Sequence, residues 1–91
     1  MALLQQKFIN FKTFLADNQT LSKSLYEQIK NCSLQELLLY LKHNLLEFHR
    51  KKHLREVLTD KYKEELTDIN PEVLDKFFRY MEMFCDCLMQ E

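Results

Sequence analysis

An all-α domain, a small bundle or antiparallel array of four to five helices, is the fold this sequence predicts. Three observations predict it. Glycine is absent, and proline occurs once, as Pro71. Hairpins draw on Gly, Pro, Asn and Asp for backbone angles that other residues resist, so this chain has few ways to build a sheet. Apolar residues recur at spacings of three and four along most of the chain, the period of a helix that buries one side. Helix-capping residues stand where two of those periodic runs begin, at Ser33 and Asn70.

The first run covers 2–16. Leu4, Phe8, Phe11 and Leu15 form one stripe, Phe14 widens it, and Gln5, Lys7, Asn10, Lys12 and Thr13 take the other side. Asp17-Asn18-Gln19 interrupts the pattern, and Thr20 is suited to cap a short helix over 21–30 with Leu25 and Ile29 inward. The next start is the clearest. Ser33 is followed three residues later by Glu36, just ahead of a leucine run. This is a capping box, in which each side chain satisfies a backbone N–H that the first turn leaves free. Leu34, Leu37, Leu38, Leu41, Leu45 and Phe48 are then expected inward, with Leu39 and Leu46 on the flank.

His49-Arg50-Lys51-Lys52-His53 spans more than a helical turn without an apolar residue. When apolar residues return at Leu54, Val57, Leu58, Tyr62 and Leu66, they have rotated off the earlier stripe. Either the helix bends or breaks near 49–53, which the spacing favours, or one long helix runs out through solvent there. The polar helix extends over about 54–66 and is closed by Thr67-Asp68-Ile69. Asn70 caps the last helix with Pro71 at its first position, where a missing N–H costs nothing. Val73, Leu74, Phe77, Phe78, Met81, Phe84, Cys85 and Leu88 make its apolar side, and Glu72 and Asp75 suit the positive end of its dipole.

Ninety-one residues amount to one domain, 1–91, without linker or repeat. At 46% hydrophobic and 30% charged, the composition is globular, neither disordered nor membrane-spanning. Net charge is −1, but nine Lys/Arg face five Asp/Glu over 1–58, against four and nine over 59–91. These oppositely charged parts can meet, within one copy or between copies, in a salt-sensitive way. Three cysteines, Cys32, Cys85 and Cys87, are an odd count and a poor disulfide framework, which points to a reducing, cytoplasmic or otherwise intracellular setting. No secretion leader is expected from the opening residues, because Gln5, Gln6 and Lys7 interrupt the apolar run. On that reading the sequons at Asn18 and Asn31 are helix-end chemistry.

Few constellations could carry catalysis. Without glycine there is no nucleophile elbow and no phosphate-cradling loop. Arg50, Arg55 and Arg79 sit among charged neighbours, and Glu64, Glu65 and Asp68 belong to a polar face. His49 and His53, four apart, would share a helix face, but a metal site needs ligands from a second segment, and Arg50, Lys51 and Lys52 repel a cation. Cys85 and Cys87 point about 200° apart on a helix, so they form neither a chelate nor an unstrained disulfide. No catalytic residue, metal ligand or cofactor is therefore assigned.

Two readings remain. Aromatic and methionine residues exceed what a minimal bundle must bury, and such side chains favour interfaces. Phe78, Tyr80, Met83 and Met89 on the last helix, with Leu39, Tyr40 and Leu46 on the third, are the candidate partner-binding residues. The function expected is that of a non-enzymatic protein–protein interaction module: an adaptor, small chaperone, inhibitor or antitoxin-like regulator, with a protein partner or self-association as a homodimer. The alternative is a nucleic-acid-associated regulator, with Arg50, Lys51, Lys52 and Arg55 neutralising phosphates. Against it stand the absence of aromatic residues interleaved with those charges and a pI of about 6.3. A solvated charged turn, or a dock for the acidic C-terminal third, fits the charges better.

Overall fold

The computed structural model describes residues 2–18, 27, 29–63, 66 and 69–90. Among them are five helices and no strand: α1 (Ala2–Asp17), α2 (Leu34–Asn44), α3 (Leu46–Arg50), α4 (Leu54–Lys61) and α5 (Pro71–Met89). The all-α expectation holds. The expected helix over 21–30, with its cap Thr20 and inward Leu25, falls mainly outside the described residues, as do Glu64, Glu65, Thr67 and Asp68; Ile29 is buried as expected.

α5 is the axis of the core. Phe77, Met81, Phe84 and Cys85 are buried along one side of it. Phe8 and Phe11 of α1 meet this side edge-on and stacked, with Phe11 6.2 Å from Phe77 and 5.6 Å from Phe84 between ring centroids. Leu37 and Leu41 of α2, and Leu54 and Leu58 of α4, complete the same cluster. The stripe expected for α1 is buried at Phe8, Phe11, Phe14 and Leu15.

Both capping expectations hold. Glu36 N donates to Ser33 Oγ at 3.1 Å while Ser33 N donates to Glu36 Oε1 at 3.2 Å, and Glu72 N donates to Asn70 Oδ1 at 2.8 Å. Removing the Ser33 hydroxyl leaves a first-turn N–H without its partner, so Ser33→Ala should lower stability by about 0.5–2 kcal/mol. Urea unfolding curves measure this, and an unmoved midpoint would mean that the box contributes nothing.

The expected continuous stripe over 34–48 is corrected. Leu45 leaves helical geometry at φ −126°, ψ −22°, which separates α2 from α3. Beside it, Asn44 Nδ2 donates to the Tyr40 carbonyl, a side-chain bond of the kind that competes with the helix ladder. The local re-phasing buries both Leu45 and Leu46, while Phe48, expected inward, is 38% exposed. The polar helix is also shorter than expected: α4 ends at Lys61, and Tyr62 and Leu66 follow as buried residues outside it.

The break within 49–53 is present, and its chemistry is specific. Lys52 takes φ +63°, His53 N donates to the Phe48 carbonyl at 2.8 Å, and Lys52 N donates to that of His49 at 3.0 Å. These two bonds close α3 in a Schellman motif, whose left-handed position normally carries glycine. A side chain there costs about 1–2 kcal/mol. Part of this is offset by the extra freedom glycine has when unfolded. Lys52→Gly should therefore stabilise the protein by about 1 kcal/mol, read as a higher denaturation midpoint; a lower midpoint would contradict this geometry.

Candidate functional site

The outward side of α5 is the candidate contact surface. At about 100° per residue, Met83 falls near Glu72, Lys76 and Arg79 on the side away from Phe77 and Met81, and Tyr80 lies between that side and the buried Phe84. Among the described residues, Glu72, Asp75, Lys76, Arg79, Tyr80 and Met83 line an open groove of about 490 Å³. Tyr80 is anchored from beneath, 5.1 Å from Phe11 and 5.4 Å from Phe14 between ring centroids. The Lys76 ammonium lies 5.5 Å from the Phe14 ring centre, and Arg79 Nε donates to Asp75 Oδ2 at 2.8 Å. The floor is thus apolar and held by the core, and the border carries both signs of charge.

The candidate partner-binding residues do not form one face. Tyr80 and Met83 come together in the groove, but Phe78 and Leu46 are corrected to core residues, 7% and 6% exposed. Phe78 packs against Phe77 at 5.9 Å and is roofed by the Arg55 guanidinium at 5.4 Å. Met89 is exposed but lies about 240° round α5 from Met83, so it extends a different side. Leu39 is exposed on α2 away from the groove residues, and Tyr40 turns to Lys61, whose ammonium bonds its hydroxyl and lies 4.7 Å from its ring centre.

The basic segment meets the acidic third within one copy. Arg55 bridges two carboxylates of α5, donating through Nη1 to Asp75 Oδ1 at 2.9 Å and through Nη2 to Glu82 Oε1 at 2.8 Å. These hydrogen bonds, Glu82 first, hold the guanidinium above its already high pKa. His49 Nε2 lies 2.6 Å from Asp86 Oδ1; opposite a carboxylate the ring nitrogen is the donor. Lys51 pairs with Glu47 at 3.3 Å, and His53 lies 3.3 Å from Glu56. Among the described residues only Arg50 and Lys52 of the four candidate phosphate ligands lack an ion-pair partner.

His49 and His53 face separate carboxylates rather than a common point, and no group of three potential metal ligands forms among the described residues. The three cysteines are free thiols. Burial, with the nearby Asp86 and Glu82 carboxylates adding to it, pushes the Cys85 thiol up to about 11. Cys32 is raised by burial and by Glu36, against a smaller opposing effect of Lys12. Periodicity gave no hint of Lys61 or of the exposed Phe48; only the turn chemistry at Asn44 bears on the latter. No helix among the described residues is long and apolar enough to cross a membrane. No protein-family model, no curated protein and no solved structure matches this chain.

Proposed function

We propose that this chain is a non-enzymatic protein–protein interaction module acting through the outward side of α5, in a reducing, intracellular setting where its thiols stay free. Roles of this kind include adaptor, small chaperone, inhibitor and antitoxin-like regulator. The observation that carries the reading is the groove whose apolar floor, Tyr80 and Met83, is bordered by charges of both signs. Charged rims of this kind set partner choice and approach rate, while the apolar floor supplies the contact.

A second copy is the occupant that the border fits. Two α5 helices laid antiparallel about Asp75 and Lys76 oppose Glu72 with Arg79 of the other copy, and Asp75 with Lys76, each pairing occurring twice. Arg79 and Asp75 add these partners to the bond they share within the chain, and Tyr80 and Met83 reach to and past the start of the other α5. That self-complementarity is what a two-fold interface requires. Nucleic-acid binding has less support, because Arg55 and Lys51 are already paired within the chain. The test is mass by light scattering for wild type and Met83→Asp. The wild type should dimerise with rising concentration, and the variant should keep its circular dichroism but remain monomeric. A monomeric wild type, or a variant that dimerises equally, contradicts the reading.

A further inference from the structure

A second hollow, of about 340 Å³, opens between α2, α4 and α5, apart from the groove on the outward side of α5. Its apolar walls are Ile29, Leu37, Tyr62 and Met81, all buried and therefore fixed by the core behind them. Its volume is at the small end of the range for ligand sites, which combine apolar walls with a few placed polar groups.

Lys61, Tyr40 and Glu36 carry polar groups on this lining, and the bond between the first two decides what they offer. Lys61 donates to the Tyr40 hydroxyl and makes no ion pair among the described residues. An ammonium has three N–H donors, and a phenol that accepts one of them still has its own O–H to give. Among the described residues, this pair therefore has donors to spare. Glu36, on the same lining, accepts from Ser33 N in the capping box. Its negative charge disfavours a dianion such as a phosphate monoester, but one cation can still hold a single carboxylate. Burial raises the Cys32 thiol, also on the lining, so it adds no further anion.

We propose that this hollow binds a small monocarboxylate with an apolar body, the carboxylate held by Lys61 and Tyr40 and the body against Leu37, Tyr62 and Met81. Octanoate, octanol and octylamine, matched in length, separate the contributions when titrated into ¹⁵N-labelled protein. Octanoate should bind tightest and shift the amides of residues 36–40, 61–62 and 81. Lys61→Gln should weaken octanoate by about tenfold, the loss of one charge-assisted contact, and leave octanol unchanged. Tyr40→Phe, which keeps the ring, should weaken octanoate by a smaller factor. Lys61 and Tyr40 are not core residues, so both variants should fold. The proposal is overturned if octanoate fails to bind, binds no tighter than octanol, binds Lys61→Gln equally, or shifts amides elsewhere. None of these outcomes bears on dimerisation through α5, whose test is mass.

Discussion

Phe11→Ala is expected to destabilise the protein by about 3–5 kcal/mol, the range for deleting a fully buried phenylalanine. Phe11 is wholly buried and touches three rings of α5: Phe77, Tyr80 and Phe84. Its removal therefore takes apolar contact from the core and also frees Tyr80, which supports the groove. Each aromatic pair adds about 0.5–1.5 kcal/mol beyond its area, and a domain this size has only about 5–15 kcal/mol in all. Chemical denaturation should show a midpoint displaced far enough that part of the variant is unfolded on mild warming. A loss below about 1 kcal/mol would mean that α1 does not pack on α5 as described.

The second large effect concerns reactivity. Cys85 is fully buried, with its thiol pushed from 9.0 up to about 11. The thiolate is the reacting species, so at pH 8 a rise of this size reduces its population by about a hundredfold, before access is considered. Aromatic disulfide reagents should therefore modify Cys85 at least about a hundredfold more slowly in folded protein than in urea. Peptide mapping, which separates Cys85 from the half-buried Cys87, measures this. Equal rates in both states would contradict the burial. The raised thiol also has a stability consequence. A thiol whose folded value is raised keeps its proton longer in the native state, so its contribution is full below pH 9 and is lost as pH rises towards 11. The stability difference between wild type and Cys85→Ala should shrink over that window.

Much of the fold was legible in the sequence because its signals are local. Ser33 with Glu36, and Asn70 with Pro71, satisfy or remove backbone donors at a helix start, and neither needs a tertiary partner to do so. The apolar gap over 49–53 marked the end of α3 for the same reason. What the sequence could not reveal depends on phase and on distant partners. The departure of Leu45 from helical geometry reorders which of Leu46 and Phe48 is covered, and periodicity assumes no such departure. Phe78 and Tyr80 are equally apolar on a helical wheel. Arg55, 23 positions before Phe78 in the chain, covers the first, and Phe11 and Phe14 hold the second against the groove. The opposite charges of the two parts of the chain were plain, but only the packing of α4 on α5 shows Arg55 reaching both Asp75 and Glu82.

The proposed pairing of α5 with its counterpart on a second copy is tested most directly by charge exchange. Glu72 and Arg79 are both exposed, so reversing either should leave the monomer folded. Sedimentation equilibrium on Glu72→Lys, Arg79→Glu and the double variant measures the result. Each single reversal should abolish the dimer by opposing like charges, and the double variant should restore it by exchanging the partners. Failure of the double variant to restore association, or dimers of undiminished strength in both single variants, would contradict it.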